Sequence, residues 1–175
     1  MQTGHVNAID ILLDAAYRPL DALRALARLV TEVNLNAHPG GHPNSPAWLL
    51  WHTGREIDVQ LAHLTGLDEV WTRDGFQDRF ALGELGDGIG YGHSPEEARA
   101  VVVLDPQLPL DYVTSTIDAL TDYIRTLDES DLGVVVDRRW NPPVTRGVRL
   151  VSIIDDAAQH LAQAAYVCGM PGPSA

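Results

Sequence analysis

The sequence predicts an all-α fold, a four-helix bundle with long connections, on three observations. Apolar residues recur at spacings of three and four over several long stretches. Ser-Pro pairs, a capping hydroxyl followed by a residue that suits the first helical turn, stand at Ser45-Pro46 and Ser94-Pro95. Alternation of period two is confined to a short region around Val134-Val-Val136, too little for more than a short hairpin before the last helix. At 175 residues the chain fills one domain, 1–175, with a full core and no linker to divide it.

The first helix is expected from about His5 to Val33, where Ile9, Leu12, Leu13, Ala16, Leu20, Leu23, Ala27 and Val30 form one stripe. Pro19 in its middle removes a backbone donor, and a kink is expected there. Residues 34–46, with three prolines and no apolar periodicity, read as a loop. A second helix runs from Pro46 to about Leu64. Its apolar residues, Trp48, Leu49, Leu50, Trp51, Ile57, Val59 and Leu61, point to almost every side, as expected of a central, buried helix.

Residues 67–82 read as a short, imperfect helix or a packed loop. Five glycines between Gly83 and Gly92 read as a mobile surface loop, because no strand precedes them to make a phosphate-binding unit. A short helix follows Ser94. Pro109 opens a long one with the stripe Leu110, Val113, Ile117, Leu120, Ile124 and Leu127. Residues 130–149 suggest a short hairpin or an extended connection. The last helix begins near Val148, with Thr145 as its cap and Leu150, Ile154, Ala157, Ala158, Leu161 and Ala165 toward the core.

Composition excludes several functions. The formal charge of −12, from 24 acidic residues against 12 basic ones, repels phosphate backbones and anionic lipid, so neither nucleic acid nor a membrane is an expected partner. Every basic residue is Arg, which removes lysine chemistry. A lone Cys168 makes no internal disulfide, and it reads as a small buried residue. With no signal-peptide pattern and no long apolar run, the expected location is cytoplasmic.

Chemistry concentrates in two stretches. Asp156 and His160 stand four apart on the last helix, on one face, and form two corners of a metal site if a third ligand joins them. The obvious partner is His52, in Trp48-Leu-Leu-Trp-His52 on the central helix. Glu56, one turn on, either orients His52 or replaces Asp156 as ligand. The alternative is bland: a surface Asp–His pair and a core histidine bonded to a carbonyl. Trp48 and Trp51 either wall a pocket or fill the core. His38 and His42, on the loop, and His63 are left without an assigned role.

Four main helices, the Trp-Leu-Leu-Trp-His start of the second and the closing Asp156-x-x-x-His160-x-x-Gln163 resemble the DinB-like superfamily of four-helix bundles over nearly the whole chain. That resemblance implies a divalent metal held by His52, Asp156 and His160, with Gln163 matching a Gln that often follows. Many members carry His where this chain has Asp156, and a two-His, one-carboxylate set suits Zn, Ni, Mn or Fe. The family includes mycothiol-dependent maleylpyruvate isomerases and bacillithiol S-transferases. It thus implies an enzyme that activates a low-molecular-weight thiol for transfer to or isomerisation of a small electrophile, in a homodimer, with mycothiol as the thiol of the isomerase branch, which is more similar to this chain in using a carboxylate at the Asp156 position. The competing expectation is a stress-related bundle that binds metal or ligand without turnover.

Overall fold

The structure, a computed structural model, describes residues 6–170, and the expected helix start at His5 lies outside them. α1 (Ala8–Leu26) begins at Asn7, which exchanges hydrogen bonds with Asp10 in a capping box. The helix is continuous across Pro19. It ends at Leu26, short of the expected Val33, because Thr31 and Asn34 bond each other's backbone and Asn34 also donates to the Leu29 carbonyl. Such local bonds offer the chain an alternative to helix.

α2 (Pro46–Thr65) is capped by Ser45, whose hydroxyl accepts from the Trp48 N–H at 3.2 Å, and it stops at Gly66, held left-handed at φ 72°. Every residue from Ser45 to Arg55 is buried, so this helix occupies the middle of the molecule as its all-round apolar pattern predicts. Two short helices follow, α3 (Val70–Arg73) and α4 (Phe76–Phe80), then α5 (Glu84–Asp87) and α6 (Pro95–Ala100). Asp58, buried on α2, accepts from the Val70 and Trp71 N–H groups at 2.8 and 2.7 Å, which fastens the start of α3 to the bundle.

α7 (Gln107–Arg125) begins slightly ahead of Pro109, which sits in the first turn where its missing N–H has no intrahelical partner to lose. Its predicted stripe is buried from Leu110 to Ile124, while Leu127 lies past the helix end and is half-buried. β1 (Val135–Asp137) and β2 (Val144–Thr145) make a two-stranded antiparallel hairpin. α8 (Arg146–Cys168) follows at once, with the Thr145 hydroxyl accepting from the Val148 N–H. Its inner arc differs slightly from the expected one: Ile153 and Ala164 are buried and Ala158 is exposed.

The chain is an all-α bundle of α1, α2, α7 and α8. α2 packs against α7 and α8, and α1 packs against the same two, so α1 faces α2 across a diagonal. The connections 27–45 and 126–145 are long because each crosses the bundle to reach a helix that is not its neighbour.

The stretch from Gly83 to Gly92 corrects the sequence expectation of a mobile surface loop. It contains α5 and is pinned to α2: Arg55 donates from Nε to the Gly88 carbonyl at 3.0 Å and from Nη2 to the Asp87 carbonyl at 3.1 Å. Gly86 and Gly90 are buried. A Cβ at Gly90, whose φ is +83°, would meet Trp51 at 2.8 Å and Trp48 at 3.0 Å, so only glycine lets the segment lie this close to the helix.

Arg55 itself is 1% exposed. It pairs with Glu69 at 2.7 Å, approaches the Tyr112 hydroxyl at 3.4 Å and lies over the Trp71 ring at 5.0 Å. Tyr112 in turn donates to Asp58 at 2.9 Å, so the charged groups and the phenol of this cluster are partnered while the buried Trp71 indole N–H is not. Tyr112 can lie there because position 54 has no side chain: a Cβ on Gly54 would fall 2.4 Å from its ring. Gly54→Ala is therefore expected to destabilise the fold by about 2 kcal/mol through overpacking. Gly133→Ala, at an exposed position with open space, should stay within about 0.5 kcal/mol of wild type. Urea denaturation followed by circular dichroism checks both, and equal midpoints would show that Tyr112 moves aside at little expense.

Candidate metal centre

α2 and α8 run antiparallel, with His52 beside His160 at one level and Gln60 within 3.3 Å of Arg149 at another. On α8, Arg149, Ser152, Asp156, His160 and Gln163 share one face at spacings of three and four, and on α2 the same seam carries His52, Glu56 and Gln60. The expected triad meets on this seam. One ligand atom from each of His52, Asp156 and His160 lies within 4.8 Å of the other two, and among the described residues no other set of three such groups converges in this way. The His52 and His160 rings stand edge to face at 4.6 Å, and Asp156 Oδ1 is 3.4 Å from His160 Nε2.

The outer nitrogen of each imidazole is already engaged. His52 Nδ1 bonds the Ile89 carbonyl in a short contact, and a carbonyl only accepts, so Nδ1 carries the proton and Nε2 keeps its lone pair. His160 Nδ1 lies 3.1 Å from Gln163 Oε1, which selects the same tautomer. Two imidazole lone pairs and one carboxylate thus converge as acceptors with no donor between them once both rings are neutral. That donor set fits a divalent cation.

Charge states follow from the same geometry. Burial lowers the His52 pKa, so its ring is neutral over most of the physiological range. Asp156 raises the His160 pKa, and the bond from His160 lowers that of Asp156. Glu56 is half-buried, and burial, followed by the charge of Asp156, raises its carboxyl above the ordinary range.

The remaining candidates divide. Trp48 is buried and stacks on His52 at 4.5 Å, so it is both core and wall of the site. Gln163, named through the family resemblance, places its Oε1 against His160 Nδ1. Glu56 does not orient His52, because the Ile89 carbonyl has taken that place; it accepts from Gln60 Nε2 at 2.9 Å instead. Nor is it one of the three convergent ligands. His38 and His42 are occupied with each other, Nδ1 of the first lying 2.9 Å from the carbonyl of the second, and His63 is exposed.

Two participants were missed in the sequence. Ile89 acts through its backbone, which no residue pattern reveals. His93 accepts from the Trp48 indole N–H at 3.2 Å and stacks on Trp51 at 5.7 Å, so the stretch after Gly92 holds the tryptophan that holds His52. The clue available was indirect: a buried tryptophan N–H needs an acceptor, and a histidine closes the glycine-rich run.

Residues 15–164 match the family described as the DinB superfamily. The fold is similar to the crystal structure of a conserved protein from Enterococcus faecalis, at 34% identity and a TM-score of 0.85, over 94% of this chain and 96% of that one. No curated protein matches.

The Gly90 contact and the His160 pKa each carry an expected outcome. A methyl at Gly90 would also press on His52 Nδ1 at 3.3 Å, so Gly90→Ala should weaken divalent-metal affinity by about tenfold to a hundredfold while the helical circular dichroism is retained. Competition with a chelator measures it, and unchanged affinity would mean that the Ile89 carbonyl does not set the ring. Ligation also requires a neutral His160, whose pKa lies above the ordinary 6.5. Affinity should therefore be full above that raised pKa and fall as pH drops through it, with a midpoint above 6.5. Asp156→Asn should weaken binding and shift the midpoint downward; a midpoint below 6.5 in the wild type would refute the assignment.

Proposed function

The chain belongs to the DinB superfamily, and on that footing we propose that it is a divalent-metal-dependent enzyme that activates a low-molecular-weight thiol for transfer to, or isomerisation of, a small electrophile. The observation that carries this reading is the convergence of His52, Asp156 and His160 within 4.8 Å, with both imidazoles held in the metal-binding tautomer. When bound, a divalent ion supplies Lewis acidity and lowers the pKa of a ligated thiol.

The chain's own groups support a borrowed nucleophile. Cys168, the one thiol, lies at the far end of α8 with its pKa pushed up to about 11 by burial, where thiolate is scarce at neutral pH. There is no lysine to replace it. Trp48 covers one face of His52 and excludes water from it. Glu56, four residues from His52 and raised by burial, holds a proton to higher pH than an exposed glutamate and is a proton acceptor beside the site. Mycothiol is the thiol that the family resemblance favours, and Zn, Ni, Mn or Fe all suit the donor set.

Wild-type protein purified without an affinity tag is expected to hold about one divalent ion per chain and to consume thiol in the presence of a panel of electrophiles. His160→Ala should lose the ion and slow thiol consumption by about a hundredfold, near 2.7 kcal/mol of barrier. Bound metal with no thiol consumed across the panel would leave a binding protein in place of an enzyme. Equal metal in wild type and His52→Ala would remove His52 from the site.

A further inference from the structure

The seam between α2 and α8 does not end at the metal centre. Seven residues before Asp156, about 10 Å along α8, Arg149 enters a cavity of about 240 Å³ with Gln60, Trp140, Val144, Val148 and Ser152. Both rails of the seam lead there: Arg149, Ser152 and Asp156 share one face of α8, and His52, Glu56 and Gln60 share one face of α2. We propose that this cavity is a second subsite of the same cleft, which takes the carboxylate of the small electrophile on Arg149 and its apolar part against Trp140, Val144 and Val148. The identity of the ligand as the electrophile rests on the proposed function; the anion site does not.

Three observations carry it. The Arg149 side chain is only 19% exposed, yet its two bonds, to Gln60 Oε1 and Asp137 Oδ2, are long at 3.3 and 3.4 Å. Asp137 gives its close contacts to Arg139, at 2.8 and 3.0 Å, so the charge of Arg149 is compensated at arm's length and its planar fork is open to a better acceptor. Second, Arg146 is matched by Asp131 at 3.1 Å, but Arg139 and Arg149 share the one carboxylate of Asp137, which leaves a local positive excess in a protein whose net charge is −12. A positive stretch of this kind draws an anion to one end of the seam. Third, Trp140, Val144 and Val148 give the cavity an apolar side, and Trp140 stands at its rim 64% exposed, an aromatic surface with nothing yet packed on most of it. One guanidinium fork beside an apolar side suits the planar carboxylate of a small organic acid, which it can meet bidentately.

Benzoate is a suitable probe, with benzamide as its uncharged isostere and inorganic phosphate as the competing anion, each titrated by calorimetry into the full chain stripped of metal. Saturable benzoate binding is expected, with benzamide and phosphate at least about tenfold weaker, as befits loss of a charge-assisted pair. Arg149→Gln should weaken benzoate by about the same factor, and Trp140→Ala should weaken both aromatic probes together. Trp140 is exposed, so its variant folds even if that of Arg149 does not. His160→Ala should bind benzoate like wild type, which separates this subsite from the metal centre. Benzoate bound through Arg149 in a protein that consumes no thiol would sink the enzyme and spare the subsite. The subsite is overturned by any of three results: no saturable benzoate binding below roughly 10 mM, benzamide binding equal to benzoate, or Arg149→Gln and Trp140→Ala both binding like wild type.

Discussion

A buried guanidinium holds the functional end of this molecule together. Arg55 is out of water, and its donors go to the Glu69 carboxylate, the Tyr112 hydroxyl and the carbonyls of Asp87 and Gly88. Desolvating such a charge is expensive, and it is tolerated only where good acceptors surround it. Those acceptors come from three separate parts of the chain, so satisfying Arg55 obliges the turn before α3, the face of α7 and the end of α5 to meet α2 at one place. The glycine-rich stretch gains its fixed position from this obligation, since its own residues supply little apolar surface.

The consequence for the metal centre is a matter of two residues. With the carbonyls of Asp87 and Gly88 anchored, the next carbonyl, that of Ile89, falls on His52 Nδ1. Arg55 lies three residues beyond His52 on the same helix, so one turn of α2 contributes both the imidazole that faces Asp156 and His160 and the cation that fixes its orienting carbonyl. Gly90 then closes against Trp48 and Trp51, and His93 takes the Trp48 N–H. A ring that must present one nitrogen is thereby held at its other nitrogen and on its face, the arrangement that raises ligand basicity and removes rotational freedom.

Where the chain's own periodicity decides structure, the sequence was readable. The stripes of α1 and α7, the all-round burial of α2 and the Ser45 and Thr145 caps follow from spacing and capping chemistry, whereas the meeting of His52 with Asp156 and His160 is an expectation that the family resemblance implies. The Gly83–Gly92 stretch was not readable, because its order comes from Arg55 through backbone carbonyls, and a carbonyl has no residue identity. Arg55 looked like an ordinary polar residue of a helix, and nothing in its neighbours signals that Glu69 and Tyr112 arrive from elsewhere to bury it. The role expected of Glu56 passed to Ile89 for the same reason: spacing finds side chains on one helix face, while the acceptor nearest His52 is main chain from another segment. The early end of α1 has a local cause, Thr31 and Asn34 competing for backbone that the apolar stripe alone would have kept helical.

Charge along the α2–α8 seam reconciles an acidic protein with the anionic ligand proposed for it. At physiological ionic strength the field of exposed carboxylates fades over about 8 Å, so the net charge of −12 governs solubility more than it governs a half-buried cleft. Within the cleft the local account is different. The triad supplies one negative charge from Asp156, fewer than the two positive charges of a divalent ion, and the opposite end has Arg149 and Arg139 against Asp137 alone. A metal-loaded seam would therefore be positive at both ends, with Glu56, whose carboxyl burial raises above the ordinary range, between them. Such a cleft favours a ligand with an anionic group at one end and an electron-rich donor or polarised carbon at the other. On the proposed reading it would disfavour neutral molecules that leave Arg149 half-satisfied, and selectivity would come from the spacing of two positive centres along the α2–α8 seam.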